Sequence, residues 1–302
     1  MPPPLIAIVG PTASGKSALA LRIAAARGGE IVSSDSLQVY RGLDIASAKA
    51  TLAERREVRH HLIDVVDPDE AFSAAEYARR ARAAVAEIAG RERLPILAGG
   101  TGLYLKALLE GLFDGPARDE GRRRRFERLA ERFGDDRLHR LLRRLDPEAA
   151  ARIPPADRLR IVRALEVYWV TGRPISEHHS AGSEPLRGHR IFLLGLDPDR
   201  ESLRRVVERR THSMLEGGLL DEVRALLEGG LSPTVHPLQA IGYRDAVAVV
   251  QGRTTREKAE QAIVTATMRL AKRQMTWFRH QADVTWFKGA DEAYAAALKW
   301  LG

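Results

Sequence analysis

Eight residues near the start of the chain, Gly10, Pro11, Thr12, Ala13, Ser14, Gly15, Lys16 and Ser17, fit the spacing G-x-x-x-x-G-K-S/T at every fixed position. Glycines let such a loop fold tightly, so that successive N–H groups point inward. The lysine adds a positive charge, and Ser17 offers a hydroxyl to Mg2+, directly or through water, at a helix N-terminus. The chemistry is the binding of a phosphorylated group, and a diphosphate satisfies it without any nucleoside triphosphate. The competing reading is an ordinary glycine-rich turn between strand and helix. A hydrolase with this loop needs an acidic residue at the end of a later apolar strand. The run 94–98 ends in Gly99, Gly100 and Thr101 instead, and 61–64, ending in Asp64, is a poor substitute. Asp35 is the carboxylate best placed near the loop, with a turn or helix-cap aspartate as its other reading.

These residues need elements to position them. Apolar runs at 5–9, 30–33, 61–66 and 94–98 read as strands. Helical patterns follow at 17–27 and, opened by a capping box at Ser73 and Glu76, up to about 89. Strands alternating with helices predict a parallel sheet, whose ligands collect beyond the carboxyl ends of its strands. The phosphate loop, Asp35 and Thr101 all fall there. From about 115 the pattern becomes Arg-rich and helical, with no strand until 190–196, which predicts a helical insertion over 116–186 between core segments 1–115 and 187–302. Gly115 and Pro116, and the stretch 182–188, read as its stems. Helices are then expected at 201–216, 219–227 and 243–250. A capping box at Thr254 and Glu257 opens a long helix to about 280, and a strand at 284–287 and a terminal helix follow.

The chain has 302 residues, no cysteine, 48 Lys and Arg against 40 Asp and Glu, and a net charge of +8. Without cysteine there are no disulfides, thiolate nucleophiles, iron–sulfur clusters or Cys-ligated zinc. No apolar run approaches the roughly 18 residues of a membrane span, and the N-terminus lacks the charged region of a signal peptide, so a cytoplasmic protein away from membranes is expected. Residues 118–173 hold sixteen Arg and ten acidic residues, so a surplus of six sits within 56 residues. Such a footprint suits a polyphosphate partner such as nucleic acid. Solvated helix faces in a chain with 41 Arg and only seven Lys are the plainer alternative.

The string from Ser34 through Ile45, preceded by the phosphate loop and followed by Gly99, Gly100, Thr101, Gly102, Leu103 and Tyr104, resembles the bacterial tRNA dimethylallyltransferase family, also called IPP transferases. The likeness continues through 60–64, 163–167, 241–244 and 271–277, covering nearly the whole chain in order. Ala46 to Ala50 departs from the usual Gly-Thr-Ala-Lys-Pro but keeps Lys49. The resemblance implies a P-loop NTPase-like α/β fold with an inserted helical domain. It also implies transfer of a dimethylallyl group from dimethylallyl diphosphate to N6 of the adenosine immediately 3′ of the anticodon. A monomer acting with Mg2+ on the tRNA anticodon stem-loop is expected.

By the same resemblance Asp35 takes a proton from the amine, with Thr101 beside it. The phosphate loop and Arg210, or Arg209 next to it, hold the diphosphate. Contacts to tRNA are implied for Asp35, Ser36, Leu37, Gln38 and Thr101; for Arg123, Leu159, Arg160, Ile161, Val162 and Arg163; for Gln239, Ala240, Ile241, Gly242, Tyr243 and Arg244; and for Lys272, Arg273, Gln274, Met275, Thr276, Trp277, Phe278 and Arg279. Basic and aromatic residues interleaved in the last block suit phosphate contact plus base stacking. A buried helix face is the other reading of Trp277 and Phe278. Two other functions remain open from the residues alone: a small-molecule kinase of the shikimate or nucleotide type, and a nucleic-acid-binding NTPase that transfers nothing.

Overall fold

The computed structural model describes residues 2–113, 115, 116, 119–181 and 184–302. In chain order the first elements are β1 (Pro4–Val9), α1 (Lys16–Arg27), β2 (Gly29–Ser33), α2 (Leu52–Glu57), β3 (His60–His61), α3 (Ala74–Gly90), β4 (Leu94–Ala98) and α4 (Gly102–Leu109). Five helices follow: α5 (Glu120–Phe133), α6 (Asp135–Leu145), α7 (Pro147–Arg152), α8 (Arg158–Thr171) and α9 (Ile175–Ala181). The chain then returns to β5 (Arg190–Leu196), α10 (Arg200–Glu216), α11 (Leu219–Glu228), a 3-10 turn (His236–Gln239), α12 (Tyr243–Val250), α13 (Arg256–Gln281), β6 (Thr285–Phe287) and α14 (Ala290–Leu301). Contacts divide it into two units, Met1–Leu108 with Leu186–Gly302, and Leu109–Pro185. The second begins at Leu109, a few residues before the expected 116. Of the expected stems, positions 182 and 183 lie outside the described residues.

The larger unit is built on one parallel sheet of order β3-β2-β4-β1-β5-β6. A strand flanked on both sides and covered on both faces must be apolar throughout, and Leu5, Ile6, Ala7, Ile8 and Val9 are all buried. Ile6 pairs with Ile96 of β4 and Phe192 of β5. Its face joins Leu19 and Ile23 of α1, Leu194, and Ala293 and Ala297 of α14 in one apolar cluster. The strand expected over 61–66 is shorter. Only His60 and His61 pair with β2, because Leu62 and Asp64 adopt φ of 60° and 57°, a left-handed backbone that cannot continue a ladder. Asp64 is instead drawn to Lys49 and Arg55 at 2.6 and 2.7 Å. The expected capping boxes are also corrected. Ser73 accepts from Glu76 N, but the Glu76 carboxylate turns to Arg79 and Arg80; and α13 is capped by Thr255, one residue later than expected.

The smaller unit is all helical among its described residues, and its core includes Phe126, Leu138, Leu142, Ile161, Val162 and Leu165. Glu166 is fully buried within it. Its carboxylate accepts from Arg123 Nε and Nη2 at 3.1 and 3.2 Å, from Arg163 Nη1 at 2.9 Å and from the backbone of Asp119 at 2.7 Å. No helix among the described residues is long and apolar enough to cross a membrane.

Candidate active site

The phosphate loop runs from the carboxyl end of β1 to the N-terminus of α1. Gly10 has φ of +139°, and a Cβ there would lie 2.6 Å from the Leu196 carbonyl oxygen, so only glycine lets the loop pass β5. Gly15, at φ of 88°, precedes the first helical turn, which leaves the amides of that turn facing the loop. Lys16 is buried, and its ammonium donates to the Pro11 carbonyl oxygen at 2.5 Å. Burial lowers its pKa to about 8; Asp35 opposes that shift, and Arg210 adds to it. Burial also lowers the Arg210 guanidinium, again opposed by Asp35. The three side chains therefore share one electrostatic neighbourhood.

Asp35 begins a turn just beyond β2. Its Oδ1 accepts from Leu37 N at 2.8 Å, and the Thr101 hydroxyl oxygen accepts from Ser36 N at 3.1 Å. Thr101 thus braces the turn, whereas Asp35 lines the cleft. Between β2 and β4 the approach is too close for a side chain, since a Cβ on Gly99 would meet the Ser34 carbonyl at 2.0 Å. That is why β4 closes in glycines where a hydrolase would carry a carboxylate. Gln274 of α13 ties the two edges together, accepting from Thr12 N at 2.8 Å and donating to the Gly100 carbonyl at 2.9 Å.

The cleft has two lobes with a common wall that includes Thr12, Ala13, Asp35, Arg210, Met214 and Gln274. One lobe, of about 540 Å3, is floored by Ser14, Gly15, Lys16 and Ser17. The other, of about 330 Å3, is lined by Val207, Ile241, Ile263 and Leu270 together with Ser36, Gln239 and Gly242. A charged end and a mainly apolar end meeting at one carboxylate suit a ligand that is part phosphate and part hydrocarbon.

Of the residues singled out from the sequence, Thr12 to Ser17 of the loop, Asp35, Ser36, Leu37, Gln38, Gln239, Ala240, Ile241, Gly242, Gln274 and Arg210 converge here, while Gly10 and Pro11 are buried behind them. Arg210 faces the cleft, whereas its neighbour Arg209 is exposed. Several expected tRNA contacts are corrected. Phe278 and Tyr243 are fully buried, and Ile161 and Val162 belong to the helical core, because helical spacing puts them on apolar faces. Phe278 therefore offers no stacking surface, and a Cβ on Gly102 would meet the Trp277 ring at 2.3 Å. Arg123 and Arg163 neutralise Glu166. Leu159, Arg160, Arg244, Lys272, Arg273, Thr276 and Arg279 are exposed, with Arg279 held by Asp197 at 3.1 Å, while Met275 is half-buried. The sequence reading missed Ser47, Val207, Met214, His236, Ile263, Thr267 and Leu270. A periodic signal was available for α13, where Ile263, Thr267, Leu270 and Gln274 recur at one helical face.

An all-parallel sheet with this loop after its first strand, and no acidic residue ending β4, defines a P-loop protein arranged around a phosphorylated ligand. The model of the family described as IPP transferase matches residues 38–281, and the chain belongs to that family. A tRNA dimethylallyltransferase of Solibacter usitatus is 51% identical over 286 residues, covering 94% of this chain and 92% of the relative. The crystal structure of a full-length tRNA isopentenylpyrophosphate transferase from Bacillus halodurans superposes with a TM-score of 0.71 at 39% identity, covering 99% of this chain and 95% of that one. A eukaryotic dimethylallyltransferase acting on tRNA gives a TM-score of 0.77 at 26% identity, covering 99% and 77%. The P-loop NTPase-like fold expected from the sequence is thus the fold of the family.

Proposed function

We propose that this chain is a tRNA dimethylallyltransferase, joining the five-carbon group of dimethylallyl diphosphate to N6 of the adenosine immediately 3′ of the anticodon and releasing diphosphate. The carrying observation is that Asp35 and Arg210 stand where the phosphate and apolar lobes join, with Lys16 flooring the phosphate lobe in the same electrostatic neighbourhood. The N6 lone pair attacks C1 of the allyl group, the C1–O bond breaks, and its electrons pass to the diphosphate oxygen. The N6 proton goes to Asp35. Charge on the leaving diphosphate grows as the bond breaks, so Lys16, Arg210 and the loop amides bind the transition state more tightly than the ground state. The adenine must leave its stack to reach the cleft, at a cost of a few kcal/mol that is smaller in a loop than in a duplex.

Magnesium fits as an ion that travels with the diphosphate. Among the described residues no group of three or more His, Cys, Asp or Glu could hold a metal, while Ser17 is exposed at the start of α1. Mg2+ takes few protein ligands beside phosphate oxygens and water, so Ser17 and the diphosphate would suffice to hold it. Bound there, it would offset leaving-group charge. Exposed Arg160, Lys272 and Arg273 are the side chains we assign to tRNA phosphates, and the protein acts as a monomer. A small-molecule kinase is disfavoured, since β4 ends without a carboxylate and the relatives named above are tRNA transferases. Release of one diphosphate per tRNA, with no ATP added, tests the reading. Diphosphate release independent of tRNA, or a requirement for ATP, would contradict it.

A further inference from the structure

The segment following the Asp35 turn is held by a carboxylate that the mechanism above does not use. Glu222, in the first turn of α11, accepts from Asp44 N at 3.1 Å and Ile45 N at 3.0 Å through Oε2, and from the Tyr243 hydroxyl at 2.8 Å through Oε1. Two successive amides therefore converge on one carboxylate, which also accepts from the Tyr243 phenol. Amides turned toward a common point form an anion-binding concavity, and here the protein fills it from within.

The fixation continues toward the chemistry. Ala48 adopts φ of 48°, a conformation that a residue with a Cβ keeps only where its surroundings impose it. The carbonyls of Ser47 and Ala48 accept from Gln38 Nε2 at 3.2 Å each, and Gln38 Oε1 accepts from the Ser33 hydroxyl at 2.8 Å. Ser33 ends β2 and Gln38 closes the turn that Asp35 opens, so hydrogen-bonded groups run from α11 to the segment carrying the carboxylate. Ile45, Ser47 and Ala48 themselves line the phosphate lobe.

We propose that Glu222 is a positioning residue for alkyl transfer: it sets the 44–48 segment and, through Gln38, the placement of Asp35 against the incoming amine. The proposal rests on the transferase reading given above. A small misplacement of a reacting group can cost a hundredfold in rate. Glu222→Ala should therefore slow single-turnover transfer by roughly ten- to a hundredfold, with tRNA affinity held within about twofold, since the exposed cations that grip phosphate are unaltered. Glu222→Gln should restore most of the rate. Its carbonyl oxygen can still accept both amides that set the 44–48 segment, although its NH2 cannot accept from the Tyr243 hydroxyl. A folded Glu222→Ala protein with the wild-type rate would overturn the proposal, as would a Glu222→Gln protein as slow as Glu222→Ala, or a rate loss fully explained by weaker tRNA binding. Hydrogen exchange of the wild-type protein decides the matter even if Glu222→Ala fails to fold. Protection of the Asp44 and Ile45 amides is expected, and open-loop exchange there would overturn it. Absence of transfer by the wild-type protein would instead remove the transferase reading, and this proposal with it.

Discussion

The Lys16 ammonium and the Pro11 carbonyl oxygen are 2.5 Å apart, so the phosphate loop satisfies its own buried cation across five residues. Burial leaves Lys16 titrating at about 8, so it is charged below that pH and neutral above it. Donor binding uses the charged form. The expected outcome is a kcat/KM for dimethylallyl diphosphate that is level just below pH 8 and falls roughly tenfold per unit above it. In Lys16→Met the level part should drop and the alkaline limb should vanish, as a pH series of initial rates would reveal.

Asp35→Asn keeps the shape of the turn, because an amide oxygen can still accept from Leu37 N, but it takes no proton. Single-turnover transfer should fall by about 10² to 10⁴, the usual range for a general base, while tRNA affinity stays near normal. Near-normal transfer in this variant would remove the role.

Gln274→Ala releases Thr12 N from Gly100 O without touching the charges of the site. The loop should lose its set geometry, raising the KM for the donor several-fold more than it lowers kcat. Steady-state kinetics at saturating tRNA would separate the two effects.

In the helical unit the arginines divide by their partners. Arg123→Ala leaves part of a buried carboxylate without a donor and should cost about 1–3 kcal/mol of stability, read as an earlier denaturation midpoint. Pairing Arg123→Ala with Glu166→Gln should recover part of that loss. Arg160, exposed and paired with Asp157 at 2.8 Å, should change stability little when replaced. If Arg160 touches phosphate, Arg160→Ala should lower the log–log salt slope of tRNA binding by roughly 0.7 to 0.9.

The phosphate loop and five of the six strands were legible in the sequence because each depends on local spacing: two glycines and a lysine, or a short apolar run. β3 was misjudged because a tertiary interaction won. Lys49 and Arg55 draw in Asp64, and the backbone turns left-handed at Leu62 and Asp64 instead of extending the strand. The same limit explains the blocks of expected tRNA contacts. A family block carries core and surface positions together, so Val162 and Phe278 were assigned alongside Arg160 and Arg273, and only packing separates them. Glu222 carried no signal, since an acidic residue in the first turn of a helix reads as ordinary dipole compensation.

The site and identity of the transferred group can be read from the mass of the tRNA product. Wild-type and Asp35→Asn proteins are incubated with an unmodified tRNA, dimethylallyl diphosphate and Mg2+, and nuclease fragments are weighed by mass spectrometry. A single C5H8 addition by the wild-type protein is expected, on the adenosine immediately 3′ of the anticodon and on its N6, with almost none from Asp35→Asn. Unmodified tRNA from the wild-type protein, or alkylation at another nucleotide, would contradict it.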